Sequence, residues 1–176
     1  MHVNAKIVAM GGLMLAFTEV CISLGSVIES NTLFLLAAAS FLVGIMIREA
    51  GLKVGGSFCF AGILMGVLLA PNKFYVFSYA GMSIYIFIRE FSWEKLSKTA
   101  EKTNRMRIFL LVKMIAFNLI YLTGILAGWK IFLSKEISWP LLIGVVVIGQ
   151  IGFLIYDMAY EYVQRQIWTK IRRKLL

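Results

Sequence analysis

The sequence predicts an all-α, polytopic membrane protein, a bundle of about six transmembrane helices with both termini on the inner side of the membrane. Three observations predict it. Of 176 residues, 60% are hydrophobic and only 15% charged, against roughly 45–50% and about 25% in soluble domains. The apolar residues form blocks of bilayer length instead of alternating with polar ones. Lys and Arg gather at alternate ends of those blocks. Six spans of about 20 residues leave no room for an aqueous domain. The expectation is therefore one integral membrane domain over residues 1–176.

The first span is expected over residues 5–28. Its apolar run is too long for the 7–15-residue core of a cleaved signal. The second covers 33–47, and the Arg48, Glu49, Gly51, Lys53 cluster marks a tight inner turn. The third runs over 54–70 and stops at Pro71-Asn72-Lys73, a helix breaker followed by a charge. The fourth covers 74–88. Residues 89–107 form the one long polar stretch, expected as a cytoplasmic loop. Its Glu94/Lys98 and Glu101/Arg105 pairs at i,i+4 also permit helix in water. The fifth span is 108–128 and the sixth 139–160, followed by a basic amphipathic tail over 161–176. Spans two and four are short for a bilayer. Either the membrane is thin there or the helices extend into the neighbouring loops.

Orientation follows from the cations. With the N-terminus inside, 14 of the 18 Lys and Arg fall on the inner side. Three, Lys73, Lys130 and Lys135, fall outside, and Lys113 lies within span five. That asymmetry accounts for the net charge of +9 without invoking nucleic acid.

The inventory for catalysis is thin. His2 is the only histidine, and there is no metal-ligand set, nucleophile elbow or phosphate loop. No enzymatic activity, cofactor or metal is expected. Cys21 and Cys59 lie inside apolar runs and read as small packing residues.

Small and polar residues within the spans say more. Ala5-x-x-x-Ala9 and Gly12-x-x-x-Ala16 in span one, and Gly62-x-x-x-Gly66 in span three, are sites where helix backbones can approach closely. In span three, packing within the bundle is the simpler reading. In span one, docking on a second membrane protein is equally open. Glu19 sits in the outer half of span one, where a carboxylate is costly unless it meets a ligand or a partner helix. Asn118 and Gln150 fall near mid-membrane and can meet as interhelical glue. Lys113 and Asp157 read as a structural ion pair or as snorkelling side chains. The aromatics Phe74, Tyr75, Phe77, Tyr79, Trp129, Phe132 and Trp139 cluster at outer ends, as an interfacial belt or as a lid over a ligand. Any external site must combine some of these with Glu29, Asn31 and Asn72. In the tail, Val163, Ile167, Ile171 and Leu175 form a stripe among Arg and Lys, which suits an anionic inner leaflet or an acidic partner.

The stretch from Ala5 to Ala16, with its small-residue spacing, resembles the first helix of the substrate-binding S components of energy-coupling-factor vitamin transporters. Leu33 through Ala39, Gly44, Arg48 and Gly51 are similar in style to that family's second span and turn. The resemblance implies a subunit that binds a vitamin or similar small nutrient from outside, in the plasma membrane of a bacterium. It implies docking through Ala5, Ala9, Gly12 and Ala16 on a shared coupling subunit powered by ABC ATPases. The ligand site would then draw on Glu19, Glu29, Asn31, Asn72, Tyr75, Tyr79, Trp129 and Trp139. The competing reading is a non-transport assembly or regulatory protein that works through helix packing and its basic tail.

Overall fold

The computed structural model describes residues 5–99, 102–132 and 139–175. Apart from short turns it is helical: α1 Ala5–Val27, α2 Thr32–Ala50, α3 Leu52–Leu69, α4 Lys73–Thr99, α5 Lys102–Phe132, α6 Trp139–Tyr162 and α7 Thr169–Leu175. The chain is an all-α polytopic membrane protein. Five stretches are long and apolar enough to cross a bilayer: Ala5–Val27, Thr32–Ala50, Leu52–Leu69, Asn104–Leu126 and Leu142–Arg172. The expected fourth span is also a helix, but α4 is not among the five. Its Tyr and Ser residues, together with Arg89 and Glu90, dilute its apolar content.

Residues 89–99 and 102–107, expected within a loop, are helical. α4 runs on to Thr99 and α5 starts at Lys102, so the polar stretch extends two helices beyond their apolar parts. The Lys98 ammonium pairs with Glu94 at 2.7 Å, the i,i+4 support that lets such a stretch stay helical in water. The apparent shortness of spans two and four has the same resolution, because both helices continue into residues read as loop.

The helices form two compact units, residues 1–113 and 114–176. In the first, consecutive helices are joined by short turns and so run antiparallel. The reversal between α2 and α3 rests on Gly51. Its φ of 87° suits a residue without a Cβ, and its N–H closes α2 on the Ile47 carbonyl at 2.8 Å. Between α1 and α2, one 3₁₀ turn at Glu29–Asn31 leads into Thr32, whose hydroxyl donates to the Gly25 carbonyl at 2.8 Å. Between α3 and α4, the Lys73 ammonium donates to the Val67 and Ala70 carbonyls at the end of α3. The Asn72 carboxamide oxygen accepts the Phe74 N–H at 3.0 Å, starting α4. Pro71-Asn72-Lys73 thus breaks one helix, caps it and begins the next.

α2 is the centre of this unit, packed by α1, α3 and α4. Its Leu36, Ala39, Ser40, Val43 and Met46 are almost wholly covered. α4 turns Val76, Tyr79, Ser83, Ile86 and Glu90 inward at alternating steps of three and four residues, one face of a helix. α3 meets its neighbours through glycines. A Cβ on Gly55 would collide with Ile47, one on Gly62 would lie 2.6 Å from the Tyr79 hydroxyl, and one on Gly66 3.1 Å from Val76. The small residues of span three therefore serve packing within the bundle.

At the Gly51 end of the unit, the Arg48 guanidinium binds Glu90 through two hydrogen bonds of 2.9 and 2.7 Å. Arg89 donates to the same carboxylate at 3.0 Å. Arg89 also lies over the Phe109 ring, and Arg105 over Trp93, which tilts against Phe109 at 5.0 Å. The Lys113 ammonium stands 5.1 Å from the centre of the same Phe109 ring.

The second unit pairs the later part of α5 with α6. The Gln150 side-chain amide donates to the Asn118 carboxamide oxygen at 2.7 Å, as interhelical glue. The Tyr121 hydroxyl donates to the Val145 carbonyl at 2.8 Å, and Phe117 stacks on Phe153 at 4.2 Å. A Cβ on Gly149 would overlap the Tyr121 ring. Replacing Asn118 by alanine should weaken this pairing by about 1 kcal/mol. Replacing Gln150 as well should add little, because both changes remove one bond. Chemical unfolding in detergent of the single and double variants checks this; simple additivity would show that the two side chains act separately.

Candidate functional site

In α1 the buried positions are Met14, Thr18, Glu19, Cys21, Ile22 and Gly25. They recur at steps of three and four, so one face of the helix enters the bundle. Thr18 is satisfied locally, its hydroxyl donating to the Met14 carbonyl at 3.0 Å. Glu19 beside it is not. It is only 8% exposed, and neither carboxyl oxygen has a hydrogen-bond partner among the described residues. The same holds for the Tyr79 and Ser83 hydroxyls on α4, in side chains that are fully buried.

These groups share one level of the bundle. At a rise of 1.5 Å per residue, Tyr79 lies about 9 Å below the start of α4 and Ser83 about 15 Å. Glu19 lies about 12 Å below the end of α1, and Cys59 about 15 Å below the end of α3. All three helix ends belong to the same side of the antiparallel unit. Tyr79 and Ser83 are one helical turn apart and so face the same way. The Tyr79 phenol neighbours the Ser83 hydroxyl and lies within electrostatic reach of Glu19 and Cys59. Gly62 on α3 leaves the space that the phenol oxygen occupies. Apolar side chains pack around Tyr79: Cys21, Ile22, Leu36 and Val76 are buried with it, and Ile63, Tyr75 and Met82 pack against them.

Of the residues expected to bind a ligand, Glu19 and Tyr79 therefore come together. Tyr79 belongs to the core and not to an aromatic belt, whereas Phe74 and Phe77 on the same helix are exposed. Tyr75 is half-buried against the core cluster. Asn31 is exposed at the 3₁₀ turn, and Asn72 is engaged in starting α4. The side chains of Glu29, Trp129 and Trp139 lie outside the described residues. Sequence reasoning missed Ser83. Its place four residues after Tyr79 was the available signal. Cys59 was read as packing, and it is buried.

The other face of α1 carries the small-residue ridge. Ala5, Ala9, Gly12 and Ala16 are all exposed, and a Cβ on Gly12 would meet nothing within 4 Å. Leu13, Phe17 and Val20 are exposed around that ridge. One helix thus turns an unpartnered carboxyl inward and a smooth apolar ridge outward. No protein-family model, curated protein or solved structure matches the chain.

Proposed function

We propose that the chain is a membrane-embedded substrate-binding subunit for uptake of a vitamin or similar small nutrient. It docks on a shared coupling subunit with ABC ATPases, in the plasma membrane of a bacterium. The observation that carries this reading is the set of unpartnered polar atoms of Glu19, Tyr79 and Ser83 inside an apolar four-helix unit. A purely structural bundle has no use for them, since each buried polar atom without a partner costs about 1–3 kcal/mol. A bundle that holds a polar solute does. The Lys and Arg asymmetry supports an inner face at the Gly51 end, which would set the polar group in the outer half, toward a nutrient arriving from outside.

The exposed ridge of α1 supports the second half of the reading. Ala5, Ala9, Gly12 and Ala16 would let another membrane helix approach closely, where lipid offers no hydrophobic drive for association. Replacing Ala5 or Ala9 by leucine is expected to abolish uptake in cells. Solute binding by the purified protein should be kept, because neither side chain enters the core. Normal uptake by both variants would remove the docking face from the proposal.

One further feature keeps the regulatory alternative in view. α6 passes without a break through a wider π-type stretch, Val163–Trp168, into α7, where Lys170 and Arg172 are exposed. Uptake that survives deletion of the residues after Glu161 would count against that alternative.

A further inference from the structure

We propose that the Glu19–Tyr79–Ser83 cluster binds one monovalent cationic group, either the ammonium head of a small solute or an alkali ion of like size. The inference rests on the solute-binding reading above and names the chemistry of what is bound.

Consider first what the carboxyl lacks. Among the described residues of α1 to α3, the other charged side chains, Lys6, Arg48, Glu49 and Lys53, all lie in the first or last turn of a helix at the Gly51 end, and Lys73 starts α4 at the opposite end. Glu19 is the exception. The closest cation along the bundle axis on its side is Lys73, and that ammonium is engaged by the Val67 and Ala70 carbonyls. Among the described residues of α1 to α4, no Asn, Gln or His lies at the level of Glu19. An ionised carboxyl buried in this way would be costly without a counter-charge.

Consider next what the neighbours offer. A neutral acid would be satisfied if its proton reached a hydroxyl. Neither the Tyr79 nor the Ser83 hydroxyl makes a hydrogen bond with Glu19. Protonation would therefore still leave the Glu19 carboxyl without a partner. The carboxyl of α1 and the two hydroxyls of α4 make no well-formed hydrogen bond with one another, an arrangement that an intervening group completes. They are all oxygens, and together they can carry one negative charge. An ammonium brings three donors and one positive charge, and an alkali ion brings one charge and a preference for oxygen ligands. A group without positive charge would leave the charge of the ionised carboxyl unbalanced. The Tyr79 ring adds a face on which a cation is favoured.

The test uses the full-length protein in lipid nanodiscs, with the thermal unfolding midpoint as readout. Sodium, potassium, ammonium and methylammonium chlorides are compared with N-methylglucamine chloride at equal ionic strength, the last being too bulky to enter. At least one small cation should raise the midpoint saturably, by several degrees. A response to alkali ions alone identifies an ion site, and a response to the amines alone identifies the head group of a solute; either supports the proposal. Glu19→Gln, which keeps the shape of a neutral acid, should abolish the response. Tyr79→Phe and Ser83→Ala should each weaken the apparent affinity about tenfold, and these two carry the test if E19Q does not fold.

Equal responses to all five salts would overturn the proposal, as would a response unchanged in E19Q, or in Y79F and S83A together. A retained solute without positive charge in protein from native membranes would overturn the cation assignment and leave the substrate-binding reading standing. Normal uptake by the Ala5 and Ala9 leucine variants would sink the docking reading and leave the salt titration untouched.

Discussion

Glu90→Gln should destabilise the first helical unit by about 3–5 kcal/mol, the range for removing one partner of a buried ion pair. The reason is the arrangement of charge at the Gly51 end. Glu90 is only 6% exposed and receives two hydrogen bonds from Arg48 and one from Arg89, whose own side chain is 5% exposed. Glutamine has nearly the same shape but no charge, and its amide would turn a donor toward a guanidinium. Two cations would then face one another at the junction of α2 and α4. Arg48→Ala should cost less, because Arg48 is about one-third exposed and water can replace part of what it loses. In the Glu90→Gln background the Arg48 change should cost little more, since the bonds it removes are already broken. Unfolding curves of the single and double variants in one detergent measure all three. A Glu90→Gln midpoint equal to that of the unaltered protein would show that the cluster contributes nothing to stability.

Gly55→Leu should have a comparable effect through packing alone. A Cβ at residue 55 would stand 2.8 Å from the Ile47 Cα and 2.9 Å from its backbone nitrogen. Those are backbone atoms, fixed by α2 and the Gly51 turn, so no side-chain rotation relieves the clash. Even alanine should cost about 1–3 kcal/mol, the usual range for overpacking. Leucine should force α3 away from α2 and disrupt folding of the unit. Gly12→Ala is the control. Its Cβ would enter open space on α1, where alanine is the better helix former by about 1 kcal/mol. Its midpoint should equal or slightly exceed that of the parent. If Gly55→Ala behaved like Gly12→Ala, the close approach of α2 and α3 would be refuted.

Much of the architecture can be read from residues alone. Helices α1, α2 and α3 lie within a few residues of where the apolar blocks put them, because in lipid each backbone polar group must be satisfied within its own segment. Pro71-Asn72-Lys73 could be read as a boundary because each residue has a local mechanism for ending or starting a helix. The Asn118–Gln150 bond could be anticipated from two amides at similar depth in the membrane. The continuation of α4 to Thr99 was harder to see. A polar sequence in water and a helix leaving the bilayer look alike until neighbouring helices are in place.

The candidate site was half legible. Glu19 stood out because a carboxylate in an apolar run is costly anywhere in a membrane. Tyr79 was visible only as one of seven aromatics, and Ser83 as an ordinary serine. Nothing in their own neighbourhoods separates them from Tyr75 or Ser78. That Tyr79 is buried and Phe77 exposed depends on which face α4 turns toward α2, and the contacts of the whole bundle fix that face.

The sequence by itself determined the solvent, the helical class and the places where most helices begin and end. Those properties follow from short-range rules of hydropathy, capping and backbone hydrogen bonding. Only the tertiary structure decided that the glycines of α3 are packing contacts, that the small ridge of α1 faces outward, and that Glu19, Tyr79 and Ser83 meet at one level. Such pairings join residues some 60 positions apart, and the rotation of each helix about its axis is set by what its neighbours leave room for.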